Sequence, residues 1–185
     1  MRRVLKNHDE VCRVWAQQNQ SHGKSGNIFF EGERIYSYGR HFEMARFVDA
    51  ETVLITSRRY SPSTAKHLSL VRRAVIHKTR FIVPSFTDHQ ENIVYLIDQA
   101  KDSYDEAKRA RKYAEGCISR ANLYTEQVRQ YMAKFQVQVP DSRKELWLAL
   151  HTETYLNSEV QAQLLAKAKA AQLAQATGYY MASGS

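Results

Sequence analysis

Cysteine is scarce in this chain of 185 residues: Cys12 and Cys117 stand alone, with no CxxC pair. That argues against a disulfide framework or a cysteine-based zinc site and fits a reducing compartment. Long apolar runs are missing as well. Nowhere do the roughly 18 uninterrupted apolar residues of a membrane span occur, and no apolar segment follows the basic start "MRRVLKNHDEVCRVW". A soluble, cytoplasmic protein without a membrane partner is expected. The patterns G-x-x-x-x-G-K-[ST] and G-x-G-x-x-G are both absent, so nucleotide binding through those loops is not indicated and no cofactor is expected. The seven histidines (His8, His22, His41, His67, His77, His89 and His151) contain neither H-x-x-x-H nor H-E-x-x-H, so no metal site is expected. Only His41 and His67 form a pair worth testing for convergence.

The most informative absence is local. Residues 53–87 carry seven Lys or Arg and no Asp or Glu, whereas residues 1–52 hold eight against seven and residues 88–185 hold twelve against twelve. Nearly all of the net charge of +8 therefore sits in the middle of the chain. A concentrated excess of one sign points to a partner of the other sign.

Within that region, "SRRYSPSTAKHLSLVRR" (57–73) admits two readings. Ser63-Thr64-Ala65-Lys66 matches S-x-x-K, the nucleophile and lysine spacing of serine-acylated β-lactamases and penicillin-binding proteins. Those enzymes also need S-D-N and K-T-G elements, and this chain has only Lys78-Thr79-Arg80 in their place. Anion binding has better physical support. Ser61 and Pro62 suit an N-cap and first helical residue, and on the helix that follows Lys66, Ser69 and Arg73 share one face. Ala65, Leu68, Val71 or Arg72, and Val75 occupy another. Arg58 and Arg59 enter from the preceding strand, and free N–H groups near Ser63 and Thr64 would add the positive end of the helix dipole. Arg58, Arg59, Lys66, Arg72 and Arg73 are the expected phosphate contacts, against the alternative of a solvated face.

A second patch is expected on "RIYSYGR". Period two puts Arg34, Tyr36, Tyr38 and Arg40 on one strand face, a set of stacking rings flanked by guanidinium groups. The competing reading makes Tyr36 and Tyr38 half-buried sheet residues.

The fold class expected is α+β. "NHDEVCRVWAQQNQ" reads as an amphipathic helix that "SHGKSG" breaks, residues 27–57 as three or four short antiparallel strands, and "RFIVPS" as one more. Gly32 suits a tight hairpin. From Thr87 or Asp88 to about Phe135 one long helix is expected. Its heptad seam runs through Ile93, Ile97, Tyr104, Ile118 and Val128, the expected partner interface. "QVQVPDSRKE" would bend the chain so that residues 146–176 return as a helical hairpin or coiled coil, with homo-oligomerisation as one outcome. The expected division is 1–87, 88–178 and a disordered tail, 179–185.

Asn7-His8, Trp15-Ala16, "SYGRHF" (37–42), Tyr60-Ser61, Ser63, Thr64, Lys66, His67 and "KRARKYAEG" together resemble uncharacterised proteins of bacteriophages and other mobile elements, over about residues 7–130. The resemblance implies a mobile-element origin inside a bacterial host cell and no particular activity. Such elements encode inhibitors of host nucleases. The expectation is therefore a non-catalytic protein that binds nucleic acid or a nucleoprotein, acting against host defence as an anti-CRISPR inhibitor of a Cas9-type nuclease complex does. A small nuclease using His41 or His67 with Tyr60 is one alternative, and an oligomeric helical scaffold is the other.

Overall fold

The computed structural model describes residues 3–182, apart from the side chains of 153–165, 168 and 179–182. The chain is α+β and divides into two units, Met1–Asn92 and Ile93–Ser185, a boundary a few residues beyond the expected 87/88. No helix among the described residues is long and apolar enough to cross a membrane.

The first unit begins with α1 (His8–Gln17), whose start is fixed by Asn7: its side chain accepts a 2.8 Å hydrogen bond from Glu10 N. Six strands follow, β1 (His22–Ser25), β2 (Ile28–Glu31), β3 (Arg34–Ser37), β4 (Glu43–Phe47), β5 (Thr52–Thr56) and β6 (Thr79–Val83), with α2 (Pro62–Ala74) between the last two. They form one sheet in sequence order. Neighbours β1 to β5 are antiparallel, and β6 runs parallel to β5. The sheet is therefore mixed, where an antiparallel one was expected. Parallel neighbours need a crossover, and α2 supplies it.

Strand β1 replaces the expected break at "SHGKSG". Its four residues have little strand propensity, and the pairing with β2 creates it: Gly23 lies so close to the Phe30 ring that a Cβ there would collide with it. Gly32, at φ +56°, makes the β2–β3 hairpin as expected.

One face of this sheet packs against α1 and α2. Val11, Cys12 and Trp15 from α1 and Leu68 and Val71 from α2 join Ile28, Phe30, Ile35, Met44, Val53 and Ile55 in one core. Trp15 is fully buried, its ring 4.9 Å from that of Phe47, and its Nε1 donates to the Glu33 carbonyl at 3.0 Å. Burial pushes the Cys12 thiol up to about 12, which removes it from thiolate chemistry.

In the second unit the expected continuous helix is broken. Helix α3 (His89–Arg109) ends before Ala110–Tyr113, and α4 (Ala114–Phe135) restarts after Tyr113, which takes a left-handed φ of 64°. The break falls where Arg111 interrupts the apolar seam, and it lets α4 fold back on α3. Tyr104 Oη donates to Asn122 Oδ1 at 3.2 Å, and Arg120 pairs with Glu106 at 3.1 Å. Both halves of the seam are thereby withdrawn from water: Ile93, Ile97, Tyr104, Ile118 and Val128 are all buried in the single chain. These five side chains belong to the interior and not to an exposed partner face.

A 3-10 turn (Asp141–Arg143) leads into α5 (Lys144–Ala182). At its start Arg129 of α4 bonds His151 Nδ1 at 2.9 Å and lies over Trp147. The expected return of 146–176 rests in good part on side chains outside the described set. Of the expected tail, α5 takes in 179–182, and 183–185 lie outside the described residues.

Trp15→Ala removes the largest side chain at the helix–sheet interface and one of the two hydrogen bonds to the Glu33 carbonyl, which keeps the one from Phe47 N. Urea denaturation should show a loss of about 3–5 kcal/mol in unfolding free energy.

Candidate functional site

Helix α2 is organised by what it buries. Ser61 caps it, accepting from Thr64 N at 3.2 Å and sharing a 2.9 Å hydrogen bond with Thr64 Oγ1, and Pro62 fills the first position. Of the N–H groups near Ser63 and Thr64 expected to be free, the Thr64 donor is used by the chain's own cap. No hydrogen bond joins Ser63 to Lys66 among the described residues, and both are exposed. The buried stripe is Thr64, His67, Leu68, Val71 and Val75.

The stripe turns the opposite side of α2 outward. Lys66, Ser69 and Arg73 are exposed there, as are Arg58 and Arg59 on the segment leading in from β5. Among the described residues, the side chains of Arg58, Arg59, Lys66 and Arg73 form no ion pair with a carboxylate. Arg72 is half-buried, and its carbonyl accepts from Arg80 Nη1 at 3.1 Å. Arg59, Ala65, Leu68, Ser69 and Arg72 line a depression of 150 Å³, which brings two guanidinium-bearing residues and a hydroxyl to one place. Of the seven cations in 53–87, Lys78 is turned to other work, as Arg80 is: it donates to the Ala50 carbonyl at 2.8 Å and lies 3.4 Å from Glu51.

The second expected patch does not assemble. Arg40 makes a two-point contact with Glu31, at 2.7 and 3.2 Å, and Arg34 lies 3.8 Å from Glu43, which also holds Arg46 through two hydrogen bonds. The hydrogen bond to Glu31 holds the Arg40 guanidinium above its usual pKa. Tyr36 is buried and stacked on Phe29 at 5.0 Å. Strand β3 stops at Ser37, after a register shift at Ile35/Tyr36, so period two does not carry on to Tyr38 and Arg40.

Tyr38 has a different role. Its backbone is left-handed (φ 63°), a conformation costing a non-glycine residue about 1 kcal/mol, and the residue is 51% exposed. The inner side of its ring stacks on His67 at 5.5 Å between centroids. His67 is buried, meets the His8 ring edge-on at 4.9 Å, and its Nδ1 shares a 2.6 Å hydrogen bond with the fully buried Ser37 Oγ. Burial lowers the His67 pKa below its ordinary 6.5, with the nearby His8 adding to the effect. Above this cluster opens a pocket of 310 Å³, lined by Ser37, Tyr38, His41, Phe42, Tyr60, Ser61 and Thr64. Phe42 and Tyr60 meet edge to face at 4.8 Å.

The pocket was not foreseen as such. "SYGRHF" and "YSPSTAKH" were visible as distinct elements, but their meeting depends on sheet register. His41 lines the pocket, whereas the contacts of His67 are with Ser37, Tyr38 and His8. Among the described residues no three His, Cys, Asp or Glu are grouped to hold a metal ion. A second basic feature also escaped the charge count, because acids elsewhere cancel it: Lys108, Arg109, Arg111 and Lys112 are all exposed at the α3–α4 break, beside an exposed Tyr113. Comparison with protein-family models, with curated proteins and with solved structures finds no match to the chain.

A histidine with a depressed folded-state pKa takes up its proton more readily when the chain unfolds. Stability is then complete above the unfolded value of 6.5 and falls as pH drops below it, toward the lower folded value. Urea titrations between pH 7.5 and 5.5 should show this decline, and His67→Gln should flatten it. Parallel profiles for the two proteins would mean that His67 is not held neutral.

Proposed function

We propose that the protein is a non-catalytic binder of nucleic acid, free or within a nucleoprotein, which holds phosphates along α2 and the segment that enters it. The observation that carries this reading is the set of four exposed cations, Arg58, Arg59, Lys66 and Arg73, with no carboxylate partner among the described residues. The depression lined by Arg59 and Arg72 suits one phosphate group through charge-assisted hydrogen bonds. Oppositely charged side chains cost little to lose at a surface, but their absence leaves the positive potential available to a polyanion. The exposed basic turn at 108–112 supports the same reading independently.

The biological setting proposed is that of a mobile-element protein acting against host defence, as an anti-CRISPR inhibitor of a Cas9-type nuclease would. Its support is the resemblance noted above, together with a surface suited to a guide or target strand. For the second unit we propose a hairpin of α4 and α5, supported by the Arg129 contacts to Trp147 and His151. The described side chains of 166–178 are exposed, and Leu173 with them is open to a second copy.

Phosphate neutralisation releases counterions, so affinity for a labelled oligonucleotide should fall steeply with salt. A log–log slope of about −3 is expected for four contacts to a single strand. Lys66→Glu with Arg73→Glu, both at exposed positions, should weaken binding at least tenfold and make the slope shallower. Affinity that ignores both salt and this double substitution would remove the electrostatic basis of the reading. In a separate assay, added protein should reduce DNA cleavage by a purified Cas9–guide complex.

A further inference from the structure

We propose that the 310 Å³ pocket between "SYGRHF" and "YSPSTAKH" receives one unpaired nucleobase, making the protein selective for single-stranded over double-stranded nucleic acid. The inference rests on the phosphate-binding reading above and adds the strandedness of the polymer.

Three features favour a base as the occupant. The walls are rings: Tyr38 is strained into the left-handed region with half its surface open, and Tyr60, 69% exposed, stands against Phe42 at 4.8 Å. A ring kept exposed at a conformational cost is the arrangement that stacking on a flat aromatic ligand exploits. Beside the His41 imidazole, the polar groups on the lining are hydroxyls; Ser37 is fully buried in its hydrogen bond with His67, whereas Tyr60 and Ser61 are exposed. A hydroxyl has one donor and two acceptor positions, so the hydroxyls of Tyr60 and Ser61 have capacity for the edge of a base. No Lys, Arg, Asp or Glu lines the space, which suits a neutral ring better than a phosphate.

The third feature is placement. Arg59 lines the phosphate-sized depression and Tyr60, its neighbour in the chain, lines the aromatic pocket. Helix α2 contributes to both, through Thr64 on one side and Ala65, Leu68 and Ser69 on the other. Two successive residues thus serve a phosphate and a base, which is how a nucleotide presents itself. A base can reach the pocket only when it is outside a duplex, so strand pairing must oppose binding here.

Fluorescence anisotropy decides the matter, using a 12-nucleotide oligo-dT, an oligo-rU of the same length, and a 12-base-pair duplex at one fixed salt concentration. Either single strand is expected to bind at least tenfold more tightly than the duplex; the dT and rU arms separate DNA from RNA as the preferred source. Tyr60→Ala should erase the preference by weakening single-strand binding about tenfold while leaving duplex binding unchanged, and Tyr60→Phe should restore it. Lys66→Glu should weaken all three probes alike. Equal affinity for single strand and duplex, with Tyr60→Ala silent, overturns the base pocket and leaves the phosphate reading standing. Absence of salt-sensitive binding to every probe overturns both.

Discussion

The parallel pairing of β5 with β6 is the constraint on which the functional surface depends. Strands that run the same way cannot be joined by a tight turn, so the chain must leave the sheet, cross over it and return. Helix α2 makes that crossing, and to remain on the sheet it buries Leu68, Val71 and Val75 in the core shared with α1. Once this stripe is committed, helical periodicity decides everything else on α2. Lys66, Ser69 and Arg73 must face outward, and Thr64 and His67 must face the end of β3. The basic face and the polar end of the buried stripe are two consequences of one packing requirement.

Electrostatics separates two surfaces that look similar in composition. The cations of β3 and β4 lie across the sheet from acids, and the register Arg34↔Arg46 and Tyr36↔Glu43 gathers Arg34 and Arg46 around Glu43. Each such pair contributes little stability where it is exposed, yet it cancels the local field. The stretch 53–87 has no acid of its own, and the sheet brings Glu51 near Lys78. The same residue type is therefore a structural contact in Arg40 and an open charge in Arg58.

How far the sequence discloses this depends on the range of the interaction involved. Signals that act within one turn are legible: Asn7 as a cap, Gly32 at its hairpin and Ser61-Pro62 at the start of α2 all do what local chemistry requires. So is the outward face of α2, because helical spacing alone determines it. Strand β1 was not legible, since its pairing with β2 outweighs the poor propensity of "HGKS". The break at 110–113 is hidden because a seam spoiled only at Arg111 and Thr125 satisfies a continuous helix and a folded-back pair equally well; closure between Tyr104 and Asn122 selects the latter. The pairing of Arg40 with Glu31 is set by the path of the chain beyond β3, which no window of a few residues contains.

The Ser37–His67 pair shows why proximity of catalytic residue types does not by itself make a catalyst. A 2.6 Å hydrogen bond between a serine and a histidine resembles half of a nucleophilic triad. Here Ser37 Oγ is fully buried, and burial disfavours the imidazolium that proton transfer would have to form, with the nearby His8 adding to the effect. A catalytic histidine needs an orienting partner that stabilises its charged form; the His8 ring, packed edge-on against His67, lowers its pKa instead. The geometry instead makes His67 a support. It carries the inner face of Tyr38, anchors Ser37, and so holds one wall and one hydroxyl of the pocket at a fixed separation. In the proposed reading the buried polar cluster supplies rigidity, and recognition falls to the exposed rings and to the exposed cations that lack a carboxylate partner among the described residues.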